Sequence, residues 1–190
     1  MWMQTYSGKK LDFAFPAEAD IDILDIAVGL ARTQRFAGQT IHPYSVLRHS
    51  LLVASLTPAA FQLEALLHDA AEAYMGDTVS PLKHLIEGAH RPREEKLEQV
   101  IFKKFGARYP IAPQVVAADR HAVYLEAKYL MPYPPLEDWH MQFKNPDMRT
   151  EQFDLKEQSA PEETLVLAFK ELVNRLSSER LCKNLVDSTK

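Results

Sequence analysis

The sequence predicts an all-α protein that opens with a small β-hairpin, and three observations carry that expectation. Along most of the chain apolar residues recur at three- and four-residue spacing, the period of a helix face packed on a core. Asp, Ser or Pro stands where several of these stretches begin, and Pro follows where others end. Near the start, Gln4-Thr5-Tyr6 and Lys10-Leu11-Asp12-Phe13 flank Ser7-Gly8-Lys9, which reads as two short strands and a turn.

After the hairpin, Ile23, Ile26, Ala27 and Leu30 form the face of a first helix, capped by Asp20 or Asp22 and ending near Thr33. Val46, Leu47, Leu51, Val53 and Ala54 mark a second, started at Ser45 and stopped before Pro58. A third is expected over 58–74, with Phe61, Leu63, Leu66, Leu67 and Ala70 on its buried side; proline in its first turn costs no helical hydrogen bond. Residues 77–83 read as a turn and a short helix, and 93–105 as a long helix using Leu97, Val100, Ile101 and Phe105. A sixth begins after Pro113 and carries Val115, Val116, Asp119, Val123 and Glu126. Prolines at 132, 134, 135 and 146 predict an irregular segment over 131–161, pinned by Trp139 and Phe143. A last helix over 161–176 carries Leu165, Leu167, Phe169, Leu172 and Val173, and the polar end 177–190 is expected to fray.

With 190 residues, 46% apolar and 25% charged, the chain suits one domain around one core, and no Gly/Ser-rich or charged linker divides it. That domain spans 1–190, with a motif-bearing core at about 5–130 and the irregular segment and last helix over 131–190. The net charge of −4 argues against a protein that holds nucleic acid, because that task relies on a basic surface releasing counterions. Anionic substrates would need a local basic pocket. Cys182 is the single cysteine, which excludes an intrachain disulfide and fits a reducing compartment. The first ten residues lack the basic-then-apolar order of a signal peptide, and no run approaches the roughly 20 apolar residues of a membrane span. A cytoplasmic protein without a membrane partner is expected.

The chemistry centres on His68 and Asp69, set in the apolar stretch Leu63-Glu64-Ala65-Leu66-Leu67-His68-Asp69-Ala70-Ala71-Glu72. An imidazole beside a carboxylate is costly to bury unless something occupies both, and a divalent metal is the commonest occupant. His49 and Asp119 complete a candidate set that divides its members among three helices. Two imidazoles with two carboxylates suit Zn, Mn, Co or Fe better than Mg. Glu72 follows His68 by four residues and Asp69 by three, which puts it on the same helical face one turn on, where a general acid or base should stand. His42, His84, His90, His121 and His140 fall in no ligand motif and read as structural or surface residues.

The order His49, His68-Asp69, Glu72, Asp119, with the run Gly76-Asp77-Thr78-Val79-Ser80-Pro81-Leu82-Lys83 and the phrases Arg35-Phe36-Ala37-Gly38 and Leu67-His68-Asp69-Ala70-Ala71-Glu72-Ala73-Tyr74, resembles the HD-domain phosphohydrolases. The likeness is to their short nucleotide-cleaving branch, which includes 5′-deoxynucleotidases and phage-type dATP triphosphohydrolases; it covers about 5–130, and no motif follows Leu130. It implies an HD-domain helical bundle, metal ligation by His49, His68, Asp69 and Asp119, catalysis by Glu72, and a second, Mg-like ion or the substrate at Asp77.

The resemblance also implies substrate contacts from Arg35, Phe36, Gly38, Asp77, Pro81 and Lys83. Arg35 and Lys83 would hold phosphate, Phe36 would face a sugar or base, Gly38 would admit the ligand closely, and Pro81 would wall the base pocket. Each has a plainer alternative: a helix C-terminal charge for Arg35, core for Phe36, a helix stop for Gly38, a helix-starting Pro81 and an exposed Lys83. Glu126, two turns beyond Asp119 on one face, would orient Arg35 or Lys83 or be a surface carboxylate.

The leading expectation is a dNTP triphosphohydrolase of dATP type, releasing deoxynucleoside and triphosphate. The alternatives are a 5′-deoxynucleotidase acting on dNMPs and, more distantly, a non-catalytic metal- or nucleotide-binding protein. Absence of extra ligand histidines weakens a cyclic-dinucleotide phosphodiesterase reading. By resemblance the protein is a homo-oligomer, dimer or hexamer, in the cytoplasm of a bacterium or a phage-infected host.

Overall fold

The chain begins with strands β1 (Trp2–Gln4) and β2 (Lys10–Asp12), paired antiparallel with Met3 opposite Leu11; the computed structural model describes residues 1–132 and 160–187. The turn closes through Gly8 at φ 86°, a conformation glycine adopts without steric cost. The hairpin is fastened to the helices by Ser7, whose backbone N–H and hydroxyl donate to the Asp25 carboxylate at 2.6 and 2.8 Å, and Leu11 is fully buried. As expected, the rest of the described chain is helical.

The first two helices start where their caps predict. In α1 (Ile23–Arg32) the Leu24 N–H donates to Asp22 Oδ1 at 2.9 Å, so Asp22 rather than Asp20 is the cap. In α2 (Val46–Leu56) the Ser45 hydroxyl accepts from Arg48 N–H at 3.4 Å. Then follow α3 (Gln62–Leu67), α4 (Glu72–Met75), α5 (Ser80–Leu85), α6 (Glu87–Phe105), α7 (Pro113–Leu130) and α8 (Glu162–Asp187). Helix α2 packs against α3 and α7, while α1 packs against α4 and α8. Ile26, Leu30, Leu47, Val53, Leu63, Leu67, Ile101, Phe102, Phe169 and Val173 belong to the core between them. Burying each such side chain stabilises the fold by roughly 1.5–3 kcal/mol.

The first strand lies at Trp2–Gln4 rather than 4–6, Tyr6 falling in the turn, and three helices also differ from expectation. The helix expected over 58–74 is interrupted: a 3-10 turn at Ala59–Phe61 precedes α3, and residues 68–71 form a turn before α4. Across that turn backbone bonds close three residues back, from Ala70 N to Leu67 O, Glu72 N to Asp69 O and Tyr74 N to Ala71 O, each 3.0 Å. His68 Nδ1 also takes the Ala65 carbonyl at 2.8 Å, the acceptor that a regular helix offers to the N–H of Asp69. The winding stays right-handed, so the apolar periodicity does not register the change.

Helix α6 starts at Glu87 rather than 93 and runs through Pro92, whose missing N–H falls opposite the Gly88 carbonyl. Arg91 bridges Glu87 and Glu95 at 3.0 and 2.7 Å, holding the turns on both sides of the proline together. Helix α8 continues eleven residues beyond 176. Ser177 Oγ donates to Phe105 O at 2.7 Å and Arg180 pairs with Glu64 Oε1 at 2.6 Å, so the helix is anchored through 177–180 where fraying was expected; residues 188–190 lie outside the described residues. The segment with Trp139 and Phe143, and His140, lie outside the described residues.

Glu64 is fully buried in α3 and takes Arg108 N–H and Nε at 2.9 and 3.0 Å as well as Arg180. Burial alone would raise its pKa; Arg108 and Arg180 overcome that and hold it at about 2, against the ordinary 4.5. Because the folded value lies below the unfolded one, the stability it contributes is complete above pH 4.5 and is lost as pH falls toward 2. With Arg108 half-exposed, we expect about 1–2 kcal/mol. The urea midpoint should therefore fall between about pH 5 and 3, and fall less in Glu64→Gln.

Gly29 is where α1 and α4 meet: a Cβ there would lie 2.5 Å from Ala73 O and 2.8 Å from Ala73 Cβ. Gly29→Ala is expected to cost about 1–3 kcal/mol in urea denaturation, because backbone stands in the way and cannot rotate aside. The contact fixes α4, and with it Glu72 next to Ala73. No helix among the described residues is long and apolar enough to cross a membrane.

Candidate metal centre

Three parts of the chain deliver side chains to one point. His49 projects from α2, His68 and Asp69 from the tightened turn after α3, and Asp119 from the first half of α7. His49 Nε2 and His68 Nε2 face each other at 3.2 Å. Asp119 Oδ1 lies 3.1 and 3.8 Å from these two nitrogens, and Asp69 Oδ2 lies 3.5 and 3.1 Å from them. One donor atom each from His49, His68 and Asp119 lies within 4.8 Å of the other two.

The second nitrogen of each ring explains the convergence. His49 Nδ1 donates to Glu126 Oε1 at 2.7 Å, and His68 Nδ1 donates to Ala65 O at 2.8 Å. With both Nδ1 atoms carrying protons, both Nε2 atoms present lone pairs to each other across 3.2 Å. Two lone pairs so placed need a cation between or beside them. Nitrogens about 2.1 Å from one ion, at right angles, would be about 3.0 Å apart. The donors present fit a divalent ion, and the Glu126–His49 pair is the carboxylate–histidine support such ligands commonly have.

A proton is the alternative occupant. Burial and Arg35 push His49 down, but Glu126 and Asp119 outweigh both and raise it to about 10. Asp69 is held well below the usual carboxylate range: burial opposes its charge, and His68, His49 and Arg35 overcome burial. Glu126, fully buried, is kept ionised by His49 and Arg35 despite burial.

Glu72 opens α4 beside this point and is 3% exposed. Its Oε1 accepts from Lys83 Nζ at 2.8 Å, while Oε2 is buried without a hydrogen-bond partner. Burial and the Asp69 charge push its pKa well above the usual range, and Lys83 offsets part of that. Asp77, half-buried after the Gly76 turn, is pushed up by burial, with Arg35 drawing it down and Asp69 raising it.

The expected substrate contacts divide. Arg35 NH2 pairs with Glu126 Oε2 at 3.1 Å and NH1 lies 3.7 Å from Asp69, so its fork already carries two carboxylates. Glu126 therefore orients Arg35 and His49 together, and is not a surface carboxylate. Phe36 lies half-buried with the Arg35 guanidinium 5.4 Å from its ring centre. Phe36, Ala37 and Gly38 have φ of 55°, 51° and 75° in succession. A left-handed run through two residues with side chains is strained and collects at functional sites; it makes Gly38 a conformational necessity more than a point of close approach, with open space about its Cα. Pro81 stands exposed in the first turn of α5, as a helix-starting proline does.

Lys83 is not a free cation: its ammonium bridges Glu72 and Glu94 Oε1, the latter at 3.0 Å. Glu94 escaped the sequence reading, since it sits on another helix with no motif about it. Between α5 and α6 lies a cleft of about 340 Å³ lined by Lys83, His84, His90, Glu94, Glu98 and Tyr109, among others. Glu98 is pushed up to about 7 by burial, then by Glu94 and Asp69. Among the other histidines, His42 and His84 are exposed, His90 leans on Glu94 at 3.4 Å and His121 is buried; none joins the ligand group.

No family model matches the sequence. The chain is 42% identical over 118 residues to Uncharacterized protein YfdR of Escherichia coli K12, a match that takes in 62% of this chain and 66% of that protein. It is 36% identical over 149 residues to Uncharacterized protein RCAP_rcc00048 of Rhodobacter capsulatus, across 72% of this chain and 76% of that one. On that extent of likeness, this chain belongs to the same family as RCAP_rcc00048.

Proposed function

We propose that this chain is a metal-dependent phosphohydrolase acting on small deoxynucleotides, an HD-domain enzyme in its chemistry as in its motif order. The observation that carries the reading is the pair of Nε2 atoms 3.2 Å apart, flanked by Asp69 and Asp119, with a buried carboxyl at Glu72 close by. His49, His68, Asp69 and Asp119 would hold the ion, with Glu126 and the Ala65 carbonyl fixing the rings. When bound, a divalent ion supplies Lewis acidity toward water and a phosphate ester. Glu72 Oε2 is the atom that exchanges a proton with the attacking water or the departing ribose oxygen, and its raised pKa suits a proton held near neutral pH. A purely structural ion would need no such group beside it, which counts against the non-catalytic alternative.

Charge around the centre favours dNMP over dNTP. A triphosphate tail needs cations beyond the scissile ester, yet Arg35 and Lys83 are each held by two carboxylates. In the neighbouring cleft the cations Lys83 and Arg91 each bridge two glutamates already, so neither is spare for a polyphosphate.

The test is hydrolysis of the four dNMPs and four dNTPs by protein reconstituted with Co, Mn, Zn or Mg, the products identified by phosphorus NMR. Inorganic phosphate from dNMPs is the expected result. Inorganic triphosphate from dNTPs would keep the enzyme class and reverse the substrate assignment. No turnover of either set by metal-loaded protein would overturn the proposal.

A further inference from the structure

Lys83 stands between two carboxylates from different helices. Its Nζ donates to Glu72 Oε1 at 2.8 Å and to Glu94 Oε1 at 3.0 Å. Glu94 Oε2 in turn lies 3.4 Å from His90 Nδ1 one turn earlier in α6. The chain His90–Glu94–Lys83–Glu72 thus runs from α6, which offers no metal ligand, to a carboxylate beside the metal centre. Only its inner end is sealed from water: the His90, Glu94, Lys83 and Glu72 side chains are 11%, 18%, 30% and 4% exposed.

An ammonium on a four-carbon stem is a mobile point charge with three donors. Left alone with Glu72 it would be free to straddle both carboxylate oxygens or to leave with an arriving anion. Glu94 pulls it to one side, so that Lys83 engages Oε1 and leaves Oε2 without a partner. We propose that Glu94 is a positioning residue for Glu72, acting through Lys83 to keep the Oε2 edge free for proton transfer. The inference rests on the proposed role of Glu72.

The experiment compares Glu94→Ala, Glu94→Gln and Glu72→Gln in the full-length, metal-loaded protein, reading kcat and KM for dNMP hydrolysis, bound metal and Tm. Glu94→Ala should lower kcat about tenfold with KM and metal content unchanged. Glu94→Gln, which still offers Lys83 an oxygen, should recover most of that loss; should Glu94→Ala fold poorly, Glu94→Gln combined with His90→Ala gives the same reading through a kcat below that of Glu94→Gln alone. Parental kcat in Glu94→Ala, or a loss that tracks Tm or bound metal instead, would overturn the inference. The Glu72→Gln control separates the two proposals. Full turnover in it would remove the role of Glu72 itself, whereas an inactive Glu72→Gln beside a fully active Glu94→Ala would remove only the positioning role.

Discussion

Replacing His68 by Ala is expected to empty the metal centre and, with it, to abolish hydrolysis. Elemental analysis should show bound metal falling from about one ion per chain to almost none, and turnover should fall by at least about a thousandfold. The remaining donors, His49, Asp69 and Asp119, lose the nitrogen that stands 3.2 Å from His49 Nε2 and 3.1 Å from Asp69 Oδ2. His121→Ala is the control, since His121 is equally buried two residues after Asp119 and has no part in the cluster. It should lose stability and keep its metal. Chelation gives the complementary result: free ion at a hundred times Kd stabilises by about 2.7 kcal/mol, so a chelator should lower Tm in the parent and leave His68→Ala unmoved. Full metal content in His68→Ala would refute the assignment.

Arg35→Met should destabilise the fold as much as it impairs the proposed hydrolysis. Arg35 lies among Glu126, Asp69, Asp77 and Glu72, and despite burial these carboxylates keep it firmly charged. Glu126 is fully buried, with Arg35 and His49 as its partners. Removing one partner of a buried pair leaves an uncompensated charge, so we expect a loss of about 3–5 kcal/mol in urea denaturation. A guanidinium kept only for phosphate would behave otherwise: KM would rise while the urea midpoint stayed in place, and that outcome would restore Arg35 to the substrate.

The sequence announced the parts of this molecule that depend on local chemistry. Asp22 and Ser45 cap helices because their side chains reach N–H groups two and three residues on, a relation written in adjacent letters. That His49, His68 and Asp119 come together was legible through the order of these residues. What remained hidden has two causes. One is that right-handed winding with bonds three residues back has nearly the same apolar rhythm as an α-helix, so the turn at 68–71 read as helix. The other is distance along the chain: Arg108 and Arg180 reach Glu64 from 44 and 116 residues away, the second of them from the part of α8 beyond 176. Glu94 belongs to this second class. Its meaning comes from Lys83 and Glu72, each eleven residues from the next only by way of a turn and a separate helix.

Gly29 and Ala73 touch where backbone meets backbone, and the residue beside Ala73 is Glu72. These two positions are therefore not free to drift independently. A lineage that enlarged either one would push α4 away from α1 and shift the carboxylate with it, so the smallness of these two inert residues sets how much variation the site tolerates. In relatives that retain the His-Asp motif, residues matching Gly29 and Ala73 should vary as a pair, small with small, and a bulky residue at one should be accompanied by the loss of Glu72.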